Sequence, residues 1–162
     1  MFISVKEFIT EWTQEADRTL KLLNVMTDDS LEQSIGDDLK SLGELAWHVT
    51  TSIKDIISES GLQFEAPAYQ DEMPGTAKEI AEKYSEVSNA MIEAAKSNWN
   101  DEGLKEIINA FGFEMPLFAL LRMAIQHQTH HRGQMTVLMR QAGLVIPGMY
   151  GPSKEEWEQL KK

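Results

Sequence analysis

Three of the chain's four histidines, His127, His130 and His131, fall within five residues, and the fourth, His48, lies far upstream. On a helix, residues four apart share a face with Cβ atoms about 5–6 Å apart, so His127 and His131 can aim two imidazole nitrogens at one point. That is metal-ligand spacing, although ordinary surface or core imidazoles can show it too. Steps of three and four from this pair meet Leu120, Ala124, Met135 and Leu138, an apolar row expected to face a core. The same steps from His130 meet Met123, Gln126, Gln134, Val137 and Gln141, a mostly polar row. The phase therefore predicts His130 at a rim and the other two inside, where neutral imidazoles need polar partners or a cation.

A catalytic site of the zinc type uses three protein ligands and keeps one position open. His48 is the only histidine left to complete such a set. Leu45, Thr51 and Ser52 flank it on its own face, and the small polar pair Thr51 and Ser52 leaves room for water and a substrate. Glu44 and Asp55, one to two turns away, are the candidate general bases. Each has an ordinary alternative, Glu44 as a capping residue and Asp55 as a solvated charge. Trp12, Trp47, Trp99 and the nine methionines are expected in the core rather than at a cofactor.

Four long amphipathic segments must position these residues. The first opens at Ser4 with Glu7 as its capping partner, Ile3 and Phe8 stand at staple positions, and Val5, Phe8, Trp12, Ala16 and Leu20 mark one face. Ser41 and Glu44 form a second capping pattern for a helix running to about Ser60, stopped by Gly61. Thr76 and Glu79 cap a third that fades near Trp99. Residues 100–114 have no clear period and are read as a connector. Pro116 suits the first turn of a fourth and longest helix, which Gly143 ends. Beyond the coil Leu144–Pro152, Ser153 and Glu156 cap a short final helix. The expected fold is all-α, a four-helix bundle with a short C-terminal helix, as one domain over 1–162.

Composition narrows the function. A chain of 162 residues hides about 68–70% of its unfolded surface on folding, so a metal is not needed to hold it together and any metal is functional. Fifteen Lys plus Arg against 26 Asp plus Glu give a net charge of -11, with the cations scattered, so nucleic acid and anionic membranes are not expected partners. The absence of cysteine excludes a disulfide scaffold, a thiolate site and a cysteine nucleophile, and fits a reducing cytosol. No apolar run approaches a membrane span and the first residues lack a basic, then apolar, leader. The expected location is cytoplasmic.

At His127-Gln128-Thr129-His130-His131-Arg132-Gly133-Gln134 the chain resembles the DinB family of bacterial metal-binding four-helix bundles. The likeness extends to Ser41-Leu42-Gly43-Glu44-Leu45-Ala46-Trp47-His48, to Phe113-Glu114-Met115-Pro116 and to Pro147-Gly148-Met149-Tyr150-Gly151-Pro152. It implies metal ligands at His48, His127 and His131, a divalent transition metal such as zinc or nickel, and a homodimer. Members of that family include bacillithiol- or mycothiol-dependent S-transferases, a mycothiol-dependent isomerase and proteins called metal-dependent hydrolases. The resulting expectation is a metalloenzyme acting on a small molecule, either a hydrolase or an S-transferase with a low-molecular-weight thiol cosubstrate. The alternative is a non-catalytic metal- or ligand-binding stress-response protein. Fold and function remain separate questions.

Overall fold

The structure, a computed structural model, describes residues 1–161. Helices α1 (Val5–Leu23), α2 (Leu42–Ile57), α3 (Ala77–Asn98) and α4 (Leu117–Gln141) form the bundle, and α5 (Lys154–Leu160) follows a coil. Between α3 and α4 a two-stranded antiparallel hairpin joins β1 (Ile107–Ala110) to β2 (Phe113–Pro116), with Ile107 opposite Pro116 and Ala110 opposite Phe113.

Every helix but α4, which Pro116 precedes, starts where a short polar side chain accepts an otherwise unpaired amide. Ser4 accepts from the Glu7 amide, Ser41 from Glu44, Thr76 from Glu79 and Ser153 from Glu156. In α2 the box closes fully, because the Glu44 carboxylate accepts from the Ser41 amide at 2.7 Å. The α-helical part of α2 ends at Ile57, and one 3-10 turn, Ser58–Ser60, carries the chain to Gly61, whose φ of 82° reverses it.

Packing runs in a ring. α1 and α2 both lie against α3 and α4, so the bundle's neighbours in order are α1, α3, α2 and α4. Consecutive helices α1 and α2, and α3 and α4, are therefore diagonal pairs, and their connections are long. Trp12, Phe8, Leu22, Ile53, Ile80, Tyr84, Met91 and Leu120 fill the centre, and the Trp12 indole donates to Ser88 Oγ at 2.9 Å. Trp47 is also buried, and its indole donates to the Asp71 carbonyl at 3.1 Å.

Three local expectations are corrected. Phe2, not Ile3, closes the start of α1: Phe2 packs edge-on against Phe8 with centroids 5.4 Å apart, while Ile3 is exposed. Residues 100–114 are not an irregular connector, for Phe111 and Gly112, at φ 53° and 82°, make the left-handed turn of a tight hairpin. The strands show no apolar–polar alternation in the sequence: β1 turns Ile108 and Ala110 inward, but the outward Ile107 and, in β2, the outward Phe113 are apolar too. Pro116 closes β2 and precedes α4 rather than sitting inside its first turn.

Candidate metal centre

The loop before α2 is seated by Gly43. Its amide donates to the Leu31 carbonyl at 2.9 Å, and a Cβ there would stand 3.2 Å from both the Leu31 Cβ and that oxygen. This close approach fixes the start of α2, two turns before His48.

From α2, His48 points across to His127 and His131 on α4. Nε2 of His48 is 3.3 Å from Nε2 of His127 and 3.1 Å from Nε2 of His131, and the last two are 3.1 Å apart. The rings meet edge to face, with centroids 4.4 to 5.0 Å apart. His130 is exposed on the neighbouring face, 4.9 Å from the His131 centroid, as its polar row foretells.

The three nitrogens form a nearly equilateral triangle. A tetrahedral ion with metal–nitrogen bonds of about 2.0–2.1 Å spaces its donors about 3.3–3.4 Å apart, so the triangle has the dimensions of one face of such a shell. Among these side chains, His131 Nδ1 lies 2.7 Å from Gln134 Oε1, which accepts its proton and leaves Nε2 bare. Nδ1 of His48 and of His127 are buried without partners. Burial is the chief cause that pushes both His48 and His127 down to about 4, helped at His48 by His131 and Lys40 and at His127 by His131, His48 and His130. His131 is lowered too, again by burial, against the opposing bond to Gln134. All three rings are held neutral, which is the ligating form.

The sequence pattern defining the DinB family matches residues 1–162. The chain belongs to the DinB family. It is 51% identical over 160 residues to the uncharacterized protein YrdA of Bacillus subtilis, covering 99% of this chain and 96% of that one. It is 24% identical over 143 residues to YjoA of the same organism, covering 85% and 90%. A crystal structure of a DinB-like protein from Bacillus cereus superposes with a TM-score of 0.89 at 46% identity, over 93% of this chain and all of that one. The YjoA crystal structure, at 19% identity and a TM-score of 0.70 over 91% and 99%, shares the fold.

Within this DinB chain the two carboxylates stand apart from the triangle's bonding. Glu44 is exposed and engaged in the cap of α2, and Asp55 lies on the exposed side of α2, its carboxyl raised by desolvation against the pull of Lys54. The imidazoles' hydrogen-bond partners are one another and Gln134.

Sequence reasoning missed four residues around the centre. Gln128, directly after His127, is buried; its amide donates to the Val49 carbonyl at 2.8 Å and its Oε1 accepts from Tyr84 at 3.1 Å. Arg132, directly after His131, is buried against Glu15. Steps of three and four from Leu121 and Ile125 reach Gln128 and Arg132, so two polar residues on an apolar row were the available signal. Lys40 and Tyr69 come from loops. Lys40 Nζ donates to the Tyr69 hydroxyl at 3.0 Å, and the Tyr69 ring stands edge-on to His48 at 5.9 Å. No periodicity marks residues brought in this way.

Proposed function

We propose that this protein is a metal-dependent enzyme acting on a small molecule, with a divalent transition ion, zinc or nickel, held by His48, His127 and His131. The carrying observation is the triangle of three Nε2 atoms 3.1 to 3.3 Å apart. Three imidazoles cannot satisfy one another in that arrangement. With His131 Nδ1–H donating to Gln134 Oε1, His131 Nε2 is an acceptor only, and protonating both other Nε2 atoms would set two N–H groups face to face. A cation takes all three lone pairs together.

A divalent ion supplies Lewis acidity and makes a small nucleophile, water or a low-molecular-weight thiol, reactive at neutral pH. The protein's part is to hold three neutral rings in fixed directions, to orient His131 through Gln134, and to leave one side open to solvent and substrate. Three protein ligands with an open fourth position match catalytic rather than closed structural sites. With no cysteine in the chain, a thiol nucleophile would have to come from a cosubstrate. Glu44 and Asp55 enter this scheme only as weak base candidates, Glu44 because it must leave the cap to act.

Elemental analysis of untagged protein tests the reading. Stoichiometric zinc or nickel is expected in the wild type and in His130→Ala, and is lost in His48→Ala, His127→Ala and His131→Ala. Retention of metal in those three variants removes the proposal. Turnover of ester and electrophile panels, with and without added thiol, then separates hydrolysis from S-transfer. A loaded protein inert to every panel is instead a metal-binding protein without chemistry.

A further inference from the structure

Beside the triangle lies a recess of about 390 Å³ that the proposed chemistry leaves unused. His131 and Gln134 form one edge, and Ile35, Leu39, Leu45, Val137 and Leu138 supply apolar walls. Ile35, Leu39 and Val137 are 62%, 56% and 54% exposed, so apolar side chains stand open to solvent at this mouth. The size falls at the low end of the range for small-molecule sites.

Lys40 is the single cation on the lining. The chain carries 26 acidic residues, and Asp37, Asp38 and Glu44 are close to it in sequence, yet Lys40 is in none of the ion pairs formed among the described residues. Its Nζ instead donates to the Tyr69 hydroxyl and sits 5.3 Å from that ring's centroid. An ammonium has three donors, so two remain for a ligand. An unpaired cation on an apolar wall complements one negative charge attached to an apolar body, and an overall charge of -11 disfavours a polyanion.

We propose that this recess binds an amphipathic monoanion, its apolar part among Leu39, Leu45, Val137 and Leu138 and its anionic oxygens on Lys40 beside the Tyr69 hydroxyl. This names the substrate class of the site proposed above and rests on that reading for the chemistry. The binding itself needs only the recess.

The probes are butanoate, hexanoate, octanoate and decanoate, with acetate as the head alone and octan-1-ol as the uncharged body. Each is titrated calorimetrically into metal-free and into zinc-loaded protein. At least one of the longer carboxylates is expected to bind metal-free protein about tenfold or more tighter than acetate or octan-1-ol. Lys40→Met should erase about tenfold or more of that affinity, the scale of a charge-assisted hydrogen bond. Lys40→Arg should keep most of it, and Val137→Asp should weaken it with the thermal midpoint unchanged. Carboxylates that bind no better than octan-1-ol or acetate, or that ignore Lys40→Met, overturn the proposal. Binding confined to zinc-loaded protein and indifferent to Lys40→Met also overturns it while leaving the metal reading intact. Carboxylate binding by a protein that takes up no zinc has the opposite meaning: the recess stands and the metal centre falls.

Discussion

At the three imidazoles, the same burial that keeps them ready to ligate makes the metal-free protein sensitive to acid. His48 and His127 are pushed down to about 4 in the fold, mainly by desolvation, whereas in the unfolded chain they protonate near about 6.5. Between those values the unfolded state binds more protons than the folded one, so stability falls as pH drops through the window and is level, for these groups, above it. Lys40 from the preceding loop and His130 and His131 from α4 push in the same direction, and the Tyr69 ring also faces His48. Denaturant melts of metal-free protein from pH 7 to pH 4 should therefore fall more steeply for the wild type than for a His48→Gln/His127→Gln variant. Parallel curves would show that the rings are not desolvated in solution. Added zinc should raise the thermal midpoint near pH 7, and that gain should shrink over the same window as protons compete for the nitrogens.

Between helices, Gln128 locks α4 to α2 and α3 beside the three imidazoles. Gln128 ties α4 to the Val49 carbonyl of α2 and to the Tyr84 hydroxyl of α3, one residue away from both His127 and His48. Burial drives the Tyr84 hydroxyl upward in pKa, so it stays a protonated donor to Gln128. Gln128→Leu takes away the acceptor of the buried Tyr84 hydroxyl and leaves Thr19 as its remaining partner, which costs about 1–3 kcal/mol. It should also weaken zinc binding, because it frees the rotation of α4 against α2. Tyr84→Phe, which removes the hydroxyl and keeps the ring, should cost less and retain metal. Equal zinc affinity in wild type and Gln128→Leu, measured by chelator competition, would make Gln128 a packing residue only. This lock also marks how far the sequence could be read. Helical phase and capping residues placed α1 to α4 and sent His127 and His131 inward, because both signals are local and repeat along the chain. The hairpin was not readable, since Ile107 and Phe113 on its exposed positions are apolar and hide any alternation. Lys40, Tyr69 and the Glu15 partner of Arg132 were not readable either, because their positions depend on how loops and helices far apart in sequence pack together.

Across the molecule, closure depends on a buried charge in a strongly acidic chain. Arg132 and Glu15 are 2% and 6% exposed and form an ion pair between α4 and α1. The Arg132 Nη1 also donates to the Glu15 carbonyl at 2.8 Å and to Thr19 Oγ1 at 2.9 Å. Tyr150, from the coil before α5, donates to Glu15 Oε2 at 2.6 Å, and Arg18 donates to Glu15 Oε1 at 2.8 Å and to the Met149 carbonyl at 3.2 Å. The tail beyond is held by Arg140 on Glu155, at 2.5 and 2.8 Å, and by the Gly148 amide on Glu156. One carboxylate thus joins α1, α4 and the C-terminal coil. Glu15→Gln leaves the Arg132 guanidinium buried without a countercharge, a loss of about 3–5 kcal/mol and a large share of the stability of a domain this size. Replacing both partners by apolar residues, Glu15→Leu with Arg132→Met, removes the charge along with its partner, and should bring the denaturant midpoint back toward wild type. Tyr150→Phe removes a hydroxyl that donates to Glu15, accepts from Arg132 and lies 3.1 Å from Thr129 Oγ1, and should cost about 1–3 kcal/mol, less than Glu15→Gln. Because Arg132 follows His131 directly, Glu15→Gln should also loosen that ring and lower zinc affinity, whereas Tyr150→Phe, which keeps the Arg132–Glu15 ion pair, should lower it less. A Glu15→Gln protein within about 1 kcal/mol of wild type in its unfolding free energy would mean that water reaches this pair and that the bundle does not depend on it.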